Sequence, residues 1–163
     1  MIGILLVNLG TPEAPTTPAV RRYLREFLSD PRVVEIPRIL WWPILNGPIL
    51  LTRPARSARA YRSIWLDEGS PLLVHSQNLA AGLQQQYDSH HPGSVLVRLA
   101  MRYGQPSVAT GLRALRDAGC EKIVVVPLYP QYSATTTAAI FDAVSAELRS
   151  WRNLPELVFL RDW

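Results

Sequence analysis

Two phenols and four aliphatic hydroxyls stand together in the run Tyr129-Pro130-Gln131-Tyr132-Ser133-Ala134-Thr135-Thr136-Thr137, which carries no charge. Rings supply stacking surface and hydroxyls supply donors, so the run suits a flat apolar ligand with anionic edges. It follows residues 123–128, an apolar stretch that reads as a buried strand, and precedes a stretch that reads as a helix. The hydroxyls are thereby delivered to the carboxyl end of a strand, where open α/β sheets place their ligands. A second chemistry comes from arginine. Among 17 basic residues Lys122 is the only lysine, and the planar guanidinium fork suits carboxylates. No Lys/Arg run forms the basic stripe of a nucleic-acid binder, so no nucleic-acid partner is expected. The single cysteine, Cys120, excludes an internal disulfide and a cysteine metal cluster. It fits a reducing cytoplasm.

The elements that must position these groups are legible as alternating patterns. With 163 residues, 48% hydrophobic and 18% charged, the chain reads as one globular domain, residues 1–163. Residues 2–9 form a continuous apolar run that ends in Asn8-Leu9-Gly10-Thr11-Pro12, a buried strand followed by a turn. Helices are expected over 18–28 (capped by Thr17), 53–65, 72–87, 107–118 and 135–151, the last opened by Ser133 or Thr135 as a cap. Strands are expected over 95–101, 123–128 and 157–160. This alternation predicts an α/β fold: an open parallel sheet with helices on both faces, flavodoxin-like in outline. A doubly wound domain seldom ends on a strand, so the pattern suggests a truncated piece or one half of a two-domain protein. The N-terminus shows no secretory leader. Residues 36–51 are rich in large apolar side chains but broken by Pro37, Pro43 and Pro48. A span needs about 20 apolar helical residues. This stretch reads instead as an exposed lip, with Trp41 and Trp42, that lines a pocket mouth or touches a membrane surface.

Five motifs in order carry a resemblance. They are Gly3-Ile4-Leu5-Leu6-Val7-Asn8-Leu9-Gly10-Thr11-Pro12; Trp41-Trp42-Pro43; Tyr61 through Gly69-Ser70-Pro71-Leu72; Met101-Arg102-Tyr103-Gly104; and Pro127-Leu128-Tyr129-Pro130-Gln131-Tyr132-Ser133. Together the chain resembles the first half of a bacterial-type ferrochelatase, an enzyme that inserts ferrous iron into a porphyrin. The resemblance implies the chelatase-like fold, first of two similar domains, and a role in haem biosynthesis. Iron and a porphyrin, protoporphyrin or coproporphyrin, would be substrates. The family's proton-accepting histidine and its acidic partner lie in the second half, and His75, His90 and His91 match neither. The fragment alone is therefore expected to be inactive.

The resemblance also assigns residues. Arg53, Tyr61 and Ser70 match positions that contact porphyrin propionates, and the spacing of eight between Arg53 and Tyr61 lets both share a helix face. Arg102 and Tyr103 match a pair deep in the site near the metal path. Leu9 matches a position that holds methionine or tyrosine in some relatives. Leucine cannot ligate iron, so Leu9 can only press on the macrocycle. Ala134 stands where some relatives place an iron–sulfur cysteine, so no cluster is expected and no metal ligand is assigned. Tyr132, Ser133, Thr135, Trp41 and Trp42 complete the expected porphyrin contacts, all converging on one apolar crevice. Two other readings stay open. A nucleotide- or flavin-binding module shares this architecture, though the loop Leu9-Gly10-Thr11-Pro12 has no G-x-G-x-x-G fingerprint. A chelatase for another divalent metal is the other. The expected location is cytoplasmic, with residues 36–51 leaving peripheral contact with the inner membrane open.

Overall fold

Strand β1 (Ile2–Gly10) is apolar without alternation because both of its faces are covered. The computed structural model describes residues 1–163. In it β1 pairs in parallel with β2 (Val95–Tyr103) on one side and β3 (Lys122–Pro127) on the other, and β4 (Glu156–Phe159) pairs with β3. The strand order is β2-β1-β3-β4. The α/β fold with an all-parallel sheet agrees with the sequence reading.

One face carries the main core. Leu5, Val7, Ala100, Ile123 and Val125 from the strands meet Val108, Leu112 and Leu115 of α5 (Val108–Asp117) and Ile140 and Val144 of α6 (Ala139–Leu148). Each valine, leucine and isoleucine among them contributes about 1.5–3 kcal/mol relative to exposure. Ser107 caps α5, its Oγ accepting the Thr110 amide hydrogen. The other face is covered by α4 (Pro71–His90), while α1 (Thr17–Leu28) and α3 (Leu50–Ile64) pack on each other.

Local expectations need correction in three places. The cap of α1 is Thr16, not Thr17, and its side chain makes no cap bond; Pro18 in the first turn pre-sets φ instead. The proline-broken lip is largely helical: it forms α2 (Arg38–Ile44) and leads into α3, and the helical run is interrupted by non-helical backbone at Gly47 (φ −85°, ψ −110°), directly before Pro48. The expected helix over 135–151 begins as a π turn (Ala134–Ala138) and ends at Leu148. Ser133 makes no cap bond there; its Oγ lies 3.0 Å from Thr135 Oγ1. No helix is long and apolar enough to cross a membrane.

Candidate functional site at the carboxyl edge of the sheet

The chain leaves β1 toward β2 on one side and later returns past β1 to β3 on the other. That reversal lies at the carboxyl ends of β1 and β3, the place where open parallel sheets bind ligands. Leu9, Gly10 and Thr11 come from one side of it. Leu128, whose amide donates to Val7 O at 2.8 Å, and Tyr129 come from the other.

At the end of β1 the backbone is pressed against β2. Gly10 has φ +117°, and a Cβ there would lie 1.8 Å from Tyr103 O. Gly104 has φ +87°, and a Cβ there would lie 2.9 Å from Thr11 O. Both positions need glycine. Thr11 is thus fixed between two strand ends, and its hydroxyl donates to Ser70 Oγ at 2.8 Å. Tyr23 of α1 donates to Gly10 O at 3.2 Å. Burial pushes its phenol well above the ordinary range, and Tyr61 and Tyr129 nearby push the same way. Tyr61 is raised by burial too, and its ring meets Trp65 edge-on at 6.2 Å. Tyr129 is pushed up to about 12 by burial, and its hydroxyl is enclosed without a hydrogen-bond partner. The nearby Leu9 amide is already donated to Asn8 Oδ1. Asn8 also donates to Ser76 Oγ of α4 at 3.1 Å, so it ties strand to helix rather than forming a turn.

The end of β2 holds a charged knot. Asp30, just beyond α1, is 7% exposed and accepts three hydrogen bonds: from Arg102 Nη2, from the Tyr103 hydroxyl at 2.8 Å and from the Arg32 amide at 2.7 Å. Arg102 Nε donates to Ala139 O at 2.7 Å. Tyr103 has no exposed surface, stands edge-on to Phe27 at 5.1 Å, and is raised by burial and by its bond to Asp30. In this chain, then, the Arg102–Tyr103 pair packs against Phe27 of α1, Asp30 and Ala139 of α6. Glu26 accepts the Gly104 amide at 3.0 Å; burial raises its carboxyl, while that amide and Arg102 pull it down.

The expected contacts fall into separate groups. Ser70 meets Thr11 at the end of β1, and Tyr61 lies near Tyr23. Arg53 is exposed on α3, in the row Arg53–Ser57–Tyr61 beside the buried row Leu50–Pro54–Ala58, so the shared face holds. Tyr132 is half-exposed under the Arg161 guanidinium, 4.7 Å from it, and lines a cleft with Arg32, Phe141 and Phe159. Trp41 donates its indole N–H to Leu28 O at 2.7 Å and, with the exposed Trp42, lines another cleft beside Val34 and Leu45. No principal cleft is lined jointly by Arg53, Tyr61, Ser70 and Tyr132. Tyr132 and the two tryptophans thus line clefts of their own. Cys120 is buried, and burial raises its thiol.

Sequence reasoning passed over Asp30, Thr11 and Tyr23. Ser29-Asp30-Pro31 reads as a helix stop, and nothing local marks Asp30 as the acceptor for a strand 72 residues away. Thr11 and Tyr23 carried a weak signal, since each lies within or just after the segments flanking the first strand end.

Comparison with known proteins matches the sequence of this chain to a family. The ferrochelatase family profile fits residues 1–163. The chain is 56% identical over 163 residues to a ferrochelatase of Thioalkalivibrio sulfidiphilus, covering 100% of the chain and 44% of the relative. It is 60% identical over 161 residues to one from an Azoarcus species (99% of the chain, 44% of the relative) and 59% identical over 161 residues to one from Methylococcus capsulatus (99% and 48%). The chain spans about half the length of the curated relatives it matches. With its whole length matched by the profile, the chain belongs to the ferrochelatase family.

Proposed function

We propose that this chain is the porphyrin-gripping part of an enzyme that inserts ferrous iron into protoporphyrin or coproporphyrin in haem biosynthesis. The observation that carries the reading is the family match over residues 1–163. The physical demands fit. A planar ring needs an apolar slot, and its carboxylates need donors held off-centre. Ser70 and Tyr61 at the end of β1, with Arg53 on the same helix row as Tyr61, supply hydroxyl and guanidinium donors beside the crevice. Leu9 and Tyr129 supply the apolar walls. Arg102 and Tyr103, locked by Asp30, act by shaping the end of β2. Metal insertion also needs a base for the two pyrrole protons, and that base is assigned to the half of the family's length that this chain does not span. No iron–sulfur cluster is assigned, because Ala134 offers no thiol.

Absorbance titration of the purified chain with protoporphyrin and coproporphyrin tests the reading. Saturable binding with a shifted main porphyrin band, and background rates of iron insertion, are expected. Turnover at an ordinary enzyme rate would overturn the division of labour. A bound flavin spectrum with no porphyrin binding would favour the nucleotide module instead. Insertion assays on a full-length relative with zinc, cobalt and nickel beside iron address metal choice.

A second reading concerns the lip. Ile39 is 87% exposed, and Leu40, Trp42, Ile44 and Leu51 are exposed around it, with Arg38, Arg53 and Arg56 near in sequence. Apolar side chains flanked by cations suit the surface of an anionic bilayer. We place the protein in the cytoplasm, in peripheral contact with the inner membrane. Flotation with anionic vesicles, expected to carry the chain upward, checks this.

A further inference from the structure

Ser70 occupies the cap position of α4 with extended backbone (φ −64°, ψ 132°), yet its side chain makes no cap bond. An uncommitted serine there ordinarily accepts an amide hydrogen of the helix's first turn. Here the Oγ accepts the Thr11 hydroxyl at 2.8 Å instead, from a residue 59 positions away. Both side chains are almost fully covered, Ser70 at 3% and Thr11 at 5% exposure. The Ser70 proton has no acceptor within the protein. A buried hydroxyl donor without an acceptor is costly, and the arrangement persists because the neighbouring structure imposes it. Thr11 is wedged between the ends of β1 and β2, where Gly10 and Gly104 allow close backbone approach. On the other side, Gly69 faces open space, with nothing within 4 Å of where its side chain would project.

We infer that Thr11 is a positioning residue: its hydroxyl holds Ser70 away from capping α4, so that Ser70 keeps its proton for a carboxylate oxygen of the bound porphyrin. The inference rests on the reading of Ser70 as a carboxylate contact. An oxygen that has accepted one hydrogen bond donates its own proton more strongly. The first-turn amides of α4 then add positive potential beside the same carboxylate. Thr11 never touches the ligand. It fixes the direction in which Ser70 donates.

The test separates donation to carboxylate from general packing. Mesoporphyrin with two free propionates and its dimethyl ester are each titrated against the purified chain, followed by absorbance. The wild type is expected to prefer the free acid. Thr11→Val keeps the shape and removes the donor, and should cut the acid-over-ester preference about five- to tenfold with ester affinity unchanged. Thr11→Ser should restore it. If Thr11→Val keeps the full preference, or weakens acid and ester in parallel, the positioning role is overturned while the Ser70 reading stands. If Ser70→Ala leaves the preference unchanged, or the wild type shows none, the carboxylate reading falls and the role of Thr11 falls with it.

Discussion

The knot at the end of β2 and the lip at α2 are both arginine-bearing regions near the carboxyl edge, yet they are built on opposite terms. In the knot every polar group is enclosed and committed. Asp30 is 5% exposed at its side chain and Arg102 18%, and the carboxylate accepts from side chains and backbone alike. In the lip, α2 has no buried residue at all. The knot joins elements 72 residues apart and therefore fixes where strand ends sit. The lip is held to the body through Arg38 and Trp41 and, at its far end, through the buried Leu45 and Leu50, while Ile39, Leu40 and Trp42 stay exposed.

The comparison breaks most visibly at Asp30. Asp30→Ala strands the Arg102 guanidinium and leaves the Tyr103 hydroxyl buried without an acceptor. Removing one partner of a buried, hydrogen-bonded pair costs about 3–5 kcal/mol. Urea unfolding should show that loss, and a cost below about 1 kcal/mol would mean that the knot does not organise the strand end. Tyr103→Phe removes one of three bonds and leaves the charge pair intact, so about 1 kcal/mol is expected from the same measurement.

Two glutamates, the exposed Glu26 and the buried Glu147, sharpen the contrast through pH. Burial raises Glu26 from 4.5, so its charged form is disfavoured in the folded state. Its contribution is fully present below the unfolded value and is lost as pH rises through the raised folded value. Glu26→Gln should therefore stabilise the chain at neutral pH and lose that advantage below about pH 4.5. Glu147 behaves oppositely. It accepts both Arg113 Nε at 2.7 Å and Nη2 at 2.9 Å, and the Arg113 bonds, aided by Trp151, hold its carboxyl below 4.5. Its contribution is present above the unfolded value and is lost as pH falls through the lowered folded value, so Glu147→Gln should destabilise at neutral pH and converge on the wild type in acid. Arg113 is more than half exposed, so solvent keeps this effect within about 1 kcal/mol. Thermal melts from pH 3 to 7 on both variants decide it, and parallel pH profiles would contradict the assignment.

These two regions also show what a linear sequence reveals. Unbroken apolar runs such as Ile123-Val124-Val125-Val126 announce strands because both faces of the sheet are covered, and Ser107 announces α5 because its cap partner is three residues away. The resemblance motifs located the strand ends correctly for the same reason, since each lies at a local boundary. What was hidden is long-range. Asp30 meets Arg102 and Tyr103 across 72 and 73 residues, and Ser70 meets Thr11 across 59. A capping serine and a helix-stop aspartate look the same in sequence whether or not a distant strand claims them. The prolines of the lip act locally: Pro43 is carried within α2, while the run is interrupted at Gly47, directly before Pro48.

The smallest stability effect should come from the lip itself, and there the contrast is sharpest. Trp42 is 55% exposed and appears in no hydrogen bond of its indole, whereas Trp41 beside it is tied to Leu28 O. Trp42→Ala should move stability by no more than about 0.5 kcal/mol, as surface substitutions do. Trp41→Ala should cost more, because it removes both a bond and part of a packed surface. If the lip rests on a bilayer, Trp42→Ala should weaken vesicle flotation severalfold while its melting curve overlays the wild type. A variant that melted early and floated normally would place Trp42 in the body of the protein and remove the distinction between the committed knot and the uncommitted rim.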